Sequence, residues 1–205
     1  MIEQLLSKYL RLRLHEALIV TIGENGFNVA PMGVEFLEGM LFIKPYKHTK
    51  TFLNISFNPE VTLNLTQESK YFFKSIFKPW ELLLKPAKKV KAPIVDGDFD
   101  LYIEGILTLY KEDPLRPTFK LEVLNAYEGC GSKLALSRAN NALLEALVYY
   151  TKVKDPKFRE NTQEYLESLK LLKLNLSLVK KLGDEELKGM AIYIEDKLRE
   201  LSLHE

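Results

Sequence analysis

Residues 28–34, Asn28-Val29-Ala30-Pro31-Met32-Gly33-Val34, lie inside a segment that otherwise alternates apolar and polar residues like a strand. The flanks, EALIVTIGENGF before and EFLEGMLFIKP after, keep that alternation. Proline cannot donate to a ladder and pushes Ala30 into extended backbone, so Pro31 belongs at an edge or a bulge. Gly33 permits either a positive φ or the close approach of another molecule. Two readings stand side by side: a plain β-bulge, or a strand that leaves its partner here and turns free backbone N–H and C=O groups toward something flat.

Outward from this run, residues 14–23 read as a strand, and Glu24-Asn25-Gly26 is a hairpin signal. A second strand spans 27–37, Glu38-Gly39 makes another tight turn, and 40–44 is a third strand. The first third is thus expected to be an antiparallel meander. The period then changes: 49–57 suits a short helix, 61–66 a strand and 68–77 a helix. Residues 78–93 contain three prolines and five lysines and read as an exposed connection. Long strands are expected at 99–111 and 118–128, joined by the turn Asp113-Pro114-Leu115-Arg116-Pro117. From Ser132 the chain reads as helical: one helix to about Lys152, a second opened by Asp155-Pro156 and ending near Gly183, and a third from Asp184. The expected division is a β-rich body over 1–131 and a C-terminal helical extension over 132–205 packed on it.

A second informative stretch is Lys44-Pro45-Tyr46-Lys47-His48-Thr49-Lys50-Thr51. Lys44, Lys47, His48, Thr49, Lys50 and Thr51 gather at the start of a short helix, where unpaired N–H groups and the helix dipole favour an anion such as phosphate. The alternative is a solvated basic loop with Thr49 as an N-cap.

The totals bound what else the chain can be. With 205 residues, 46% of them hydrophobic, there is material for one domain with a sizeable core plus a helical extension. Lys+Arg 29 against Asp+Glu 28 gives no global field to drive binding to nucleic acid or an anionic membrane. One cysteine, Cys130, and three scattered histidines supply neither a disulfide framework nor metal-ligand spacing. The first residues read as an amphipathic helix too polar for a signal segment, so an intracellular, cytoplasmic protein is expected. No nucleotide-hydrolysing, serine-hydrolase, zinc-protease or Cys-x-x-Cys motif occurs. Asp96, Asp98 and Asp100 read as a solvated loop, because nothing at the right distance closes a calcium loop.

Taken together, the two stretches resemble the FMN-binding split barrels, the flavin reductase-like superfamily, and within it an archaeal family of unknown function. The resemblance rests on Glu16-Ala17 and Val20-Thr21, on the 28–34 run, on Thr49-Lys50-Thr51 with Asn54, and on Val61, Asn64-Leu65-Thr66 and Phe72-Phe73. It continues in Ser137-Arg138-Ala139, Leu144-Glu145-Ala146 and Thr151.

The fold so implied is α+β, a Greek-key-like antiparallel split β-barrel with a C-terminal helical extension, forming a homodimer with FMN at the subunit interface. Carried over by position, Thr49, Lys50, Thr51 and Asn54 would hold the phosphate, with Lys47 and His48 as helpers. Asn28, Val29, Ala30, Met32 and Gly33 would line the isoalloxazine. Arg138, Asn141 and Glu145 share one helix stripe. Arg138 is read either as a flavin or substrate contact or as the partner of Glu145 in a structural pair. Trp80, Tyr71, Phe72 and Phe73 would shield a ring or serve as core.

The resulting expectation is a flavin reductase-type oxidoreductase using NADH or NADPH. Two other readings remain: an FMN storage, carrier or sensing module without turnover, and an interaction protein whose C-terminal helices dock a partner. The latter rests on Leu166, Leu169, Leu172, Leu174, Leu176 and Val179, which make one helix apolar on more than one face.

Overall fold

The computed structural model describes residues 2–10, 13–131 and 138–203. Ser132 and Ser137, which the sequence reading includes, lie outside them. The chain divides into two compact units, Met1–Lys133 and Leu134–Glu205.

The first unit opens with α1 (Ile2–Tyr9), whose buried Leu6 faces the core while Lys8 and Tyr9 both reach Glu128. Then come β1 (Leu14–Gly23), β2 (Gly26–Leu37), β3 (Met40–Ile43), α2 (Lys50–Phe57), β4 (Glu60–Leu65) and α3 (Ser69–Phe77). A short 3-10 turn at Pro79–Glu81 leads to β5 (Leu84–Lys85) and β6 (Ile94–Val95), followed by β7 (Leu101–Lys111) and β8 (Thr118–Glu128). Six strands close into an antiparallel barrel in the order β1-β2-β3-β8-β7-β4, with β4 returning to β1. The β3–β4 crossing carries α2 over one end. The barrel and its helical cover match the α+β split barrel implied by the resemblance.

The turns follow from local chemistry. Between β2 and β3, Glu38 and Gly39 take φ 52° and 77°, the paired positive values of a two-residue hairpin that matches strand twist. The barrel interior is filled by Ala17, Ile19, Val34, Leu41, Ile43, Val61, Leu63, Leu101, Ile103 and Leu121, inward-facing residues of all six strands. Burial of the Val, Leu and Ile side chains among them contributes roughly 1.5–3 kcal/mol each.

The structure corrects two expectations. Residues 78–93 are an exposed connection only in part: Leu82, Val90 and Ala92 are buried while Lys85, Lys88, Lys89 and Lys91 stay exposed, and β5 pairs with β6 just beyond the segment. The segment and the strand that follows it are strapped down by acceptors from the barrel, of which Asn64 and Glu104 are buried and Glu60 is partly exposed. Glu104 accepts from the Lys88 and Lys89 amides, Asn64 from the Val95 amide, and Glu60 from the Lys91 amide. The Thr62 hydroxyl adds a bond to the Pro93 carbonyl. The second correction concerns β2. It does not leave β1, since the register runs without a shift from Leu14↔Glu35 through Leu18↔Pro31 to Gly23↔Gly26.

The second unit comprises α4 (Arg138–Lys154), α5 (Pro156–Arg159), α6 (Thr162–Leu182) and α7 (Glu185–Leu203). Asp155 and Asn161 cap α5 and α6. Leu143, Leu147 and Tyr150 of α4, Leu172, Leu176 and Val179 of α6, and Met190, Ala191 and Ile194 of α7 form its core. Only one stripe of α6 is buried; Leu166 and Leu174 are exposed. A cavity of about 480 Å³ opens among α4–α7, bordered by Arg159, Lys173, Lys180 and Arg199. Three of these cations are already matched within the unit: Lys180 with Glu195, Arg199 with Asp196, and Arg159 with the Val153 carbonyl. Among the described residues, no helix is long and apolar enough to cross a membrane.

Candidate functional site

What β2 loses is its other neighbour. It pairs with β3 only from Val34↔Ile43 to Leu37↔Met40, so residues 26–33 keep β1 on one side and have no strand on the other. Proline has no N–H, and an unbroken ladder can pass through Pro31 only if its nitrogen points away from β1. Alternation then places Val29, Pro31 and Gly33 with their backbone groups on the open edge. That edge offers N–H donors at Val29 and Gly33 and carbonyl acceptors at all three. Among the described residues none of these groups has a partner there. Val29 and Pro31 also turn their side chains outward, whereas Ala30 and Met32 pack on the barrel core.

Gly33 is not demanded by the chain itself. Its φ is not in the left-handed region. A Cβ there would meet only Leu14 Cδ1 at 3.5 Å and Glu16 Oε1 at 3.8 Å, ordinary contacts. The fold leaves this position without a reason for glycine, and close approach of another molecule remains as one.

The N-terminus of α2 is the second component. Thr49 caps it, accepting from the Phe52 amide at 3.3 Å while its hydroxyl and amide donate to the Tyr46 carbonyl at 2.7 and 3.0 Å. The amides of Lys50 and Thr51 have no acceptor among the described residues, as expected for a first helical turn. Lys50 is exposed and its ammonium forms no ion pair among the described residues. Thr51 is 4% exposed, and its hydroxyl oxygen accepts from Asn28 Nδ2 at 3.2 Å while its proton has no acceptor among the described residues. Two amides, a buried hydroxyl and an exposed ammonium therefore lie on one helix start without an acceptor among the described residues. Such a donor set at a helix N-terminus suits an anion.

Asn28 joins the two components, because its amide ties the open strand to Thr51. Directly across the ladder from Asn28 stands Thr21, and its hydroxyl accepts from Asn54 Nδ2 at 3.1 Å. Asn54 in turn lies over Gly23, where any Cβ would fall 2.2 Å from Asn54 Oδ1. Gly23 is thus needed to let α2 sit against the β1–β2 hairpin. Neither Thr21 nor Gly23 is expected as a site residue from the sequence. The signal that points to them is the register of the hairpin, which sets Thr21 opposite Asn28.

The other residues expected at the site fall differently. The Lys47 ammonium pairs with Glu112 at 3.2 Å, and His48 is exposed with its ring against Tyr46. Asn54 is committed to Thr21. Arg138 opens α4 in the second unit and is exposed, as are Asn141 and Glu145. Arg138 and Glu145 form no ion pair among the described residues, since seven residues of helix separate them by about 10 Å. Trp80 is 76% exposed, Phe72 and Phe73 are buried in α3, and the Tyr71 hydroxyl accepts from the Asp98 amide. Asp96 and Asp98 pair with Lys85 and Lys70.

Known structures share this architecture. An FMN-bound protein from Methanosarcina mazei superposes with a TM-score of 0.71 at 23% identity, covering 89% of this chain and 94% of that one. Nitrilotriacetate monooxygenase component B from Mycobacterium thermoresistibile matches at 0.51 and 15%, covering 64% and 79%. The 2-nitrobenzoate 2-nitroreductase of Pseudomonas fluorescens matches at 0.50 and 18%, covering 57% and 65%. At these identities the likeness establishes the fold. No curated protein matches the chain significantly. The profile of the family described as protein of unknown function (DUF447), N-terminal domain, matches residues 15–126. That match runs from His15 in β1 to Ala126 in β8, more than half of the chain and nearly all of the barrel, and the chain therefore belongs to the DUF447 family.

Proposed function

We propose that the barrel binds FMN in a homodimer, with the phosphate on the first turn of α2 and the isoalloxazine edge along residues 29–33 of β2. On this reading the protein is an oxidoreductase of the flavin reductase type with a nicotinamide as reductant. The observation that carries it is the Asn28–Thr51 bond, which sets the orphaned donors of α2 beside the open backbone edge. A planar heterocycle with a phosphate tail needs both features at once, and the FMN-bound family member from Methanosarcina mazei supports the choice of FMN.

Bound FMN would supply hydride chemistry that no side chain in the barrel provides. The chain's own contribution is binding and electrostatics. Lys50 offsets phosphate charge, and the Thr51 proton is free to donate because Asn28 occupies a lone pair of the same oxygen. The Val29 and Gly33 amides would stabilise negative charge developing on the ring edge, being fixed donors that need no reorganisation. The Pro31 carbonyl faces the same edge as an acceptor. Phe27 on β2 and Leu53 and Phe57 on α2 are exposed apolar residues on the two elements that form the site. A second subunit would cover them and exclude water from the ring.

The primary test is the visible spectrum of the purified protein before and after FMN, then after NADH or NADPH without oxygen, with light scattering for the mass. Flavin uptake followed by bleaching is the expected result. A flavin that stays yellow would favour the storage or sensing reading, and no uptake would refute the site. Gly33→Val provides a local check. Valine suits a strand and its Cβ makes only ordinary contacts at this position, so stability should stay within about 1 kcal/mol. The added isopropyl group should raise the FMN dissociation constant about tenfold. Unchanged affinity would remove Gly33 from the ring contact.

A further inference from the structure

The segment that leads into the anion donors has no regular structure from Lys44 to Thr49, yet its carbonyls and rings are held from outside by the β7–β8 turn. Asp113 shapes that turn: its Oδ1 accepts from the Leu115 and Arg116 amides at 2.8 and 2.7 Å. These two donors, the Arg116 amide foremost, hold the Asp113 carboxyl below the usual carboxylate range. The Leu115 carbonyl then accepts from the Lys47 amide at 3.0 Å. Arg116 donates through Nε and Nη2 to the Lys44 carbonyl at 3.2 and 3.1 Å, and its guanidinium lies 4.3 Å from the centre of the Tyr46 ring. Tyr46 lies tilted against His48 on one side, and its carbonyl accepts both donors of Thr49, the residue that caps α2.

A continuous relay therefore runs from Arg116 to Tyr46, from Tyr46 to Thr49, and from Thr49 to the free donors of Lys50 and Thr51. At the same time Glu112, in the same turn, draws the Lys47 ammonium to itself and Glu35 pairs with Lys44, which leaves Lys50 without an ion pair among the described residues.

We propose that Arg116 is a positioning residue for the phosphate subsite, acting through Tyr46 and Thr49 to aim the first turn of α2. This role rests on the FMN reading above. A planar fork is needed for it, because one guanidinium bridges a carbonyl with two N–H groups while stacking on an aromatic face, and an ammonium does neither in that geometry.

The experiment compares FMN with riboflavin, which lacks the phosphate, on full-length wild type, Arg116→Ala and Arg116→Lys, using quenching of flavin fluorescence. Both variants are expected to weaken FMN roughly tenfold and to leave riboflavin within about twofold, since only phosphate contacts depend on the aim of α2. Equal losses for the two flavins, or no loss at all, would overturn the proposal. Full retention of FMN affinity by lysine would also overturn it, in favour of a charge acting directly on the phosphate. A wild type that binds neither flavin would refute the FMN reading and this inference with it. Should Arg116→Ala lose its barrel by circular dichroism, the lysine variant carries the same comparison.

Discussion

Replacement of Glu104 by alanine is expected to lower the unfolding free energy of the barrel by about 3–5 kcal/mol, a loss at the upper end for a single buried polar side chain. Glu104 is 0% exposed on β7, and its two oxygens accept from the Lys88 amide at 3.1 Å, the Lys89 amide at 2.5 Å and Asn125 Nδ2 at 3.3 Å. The Lys88 ammonium lies 3.6 Å from the centre of the Tyr127 ring. Burial, reinforced by the neighbouring Glu104 charge, pushes the Tyr127 hydroxyl up to about 12. Alanine removes the acceptor from three donors at once and leaves a cavity in the barrel wall. Glutamine should cost less, because one oxygen still accepts while its amide faces a donor. Urea unfolding measures the difference, and hydrogen exchange at the Lys88 and Lys89 amides locates it. An alanine variant that unfolds like wild type with those amides still protected would show that the strap does not depend on Glu104.

That strap marks the limit of what the sequence discloses. The barrel strands are legible because each carries its own alternation and because Asn25-Gly26 and Glu38-Gly39 mark turns locally. Residues 78–93 carry the opposite signal, since prolines and lysines describe a loop whatever holds it. Their acceptors, Glu60 and Glu104, come from β4 and β7, and no local pattern announces a pairing across that separation. The 28–34 run is legible in kind but not in direction. Its Pro31 and Gly33 signal a free edge, but a proline interrupts a ladder only on the side its nitrogen faces, so β2 keeps β1 and the freed side is the one β3 leaves.

The basic segment divides in the same way. Proximity in sequence groups Lys47, His48, Thr49, Lys50, Thr51 and Asn54 into one anion site, and the structure sorts them by partners that proximity cannot reveal. Glu112 holds Lys47, Tyr46 lies tilted against His48, the cap uses Thr49, and Thr21 engages Asn54. Lys50 and Thr51 are left with unspent donors. Helix periodicity can separate Asn54, which sits with Thr51 and Ile55 on the buried face of α2, but only the fold identifies what that face meets.

This sorting makes Lys50 the position where stability and binding part company most sharply. Lys50→Asp is expected to raise the FMN dissociation constant about a hundredfold while leaving the barrel as stable as wild type or slightly more so. An acidic side chain in the first turn of a helix interacts favourably with the dipole, by about 0.3–1 kcal/mol, and Lys50 forms no ion pair among the described residues that the change would break. For a phosphate at the same place the sign reverses: one attractive charge is lost and one repulsive charge is gained, next to amides the carboxylate can itself engage. Loss of a charge-assisted contact together with like-charge repulsion is on the order of 2.7 kcal/mol, which is the hundredfold. Riboflavin, without the phosphate, should bind the variant as it binds wild type. Thermal unfolding of the flavin-free proteins and paired titrations with FMN and riboflavin test both signs together. If Lys50→Asp weakens the two flavins equally, the α2 turn is not the phosphate subsite. If it weakens neither, the free donors of Lys50 and Thr51 serve no anion at all.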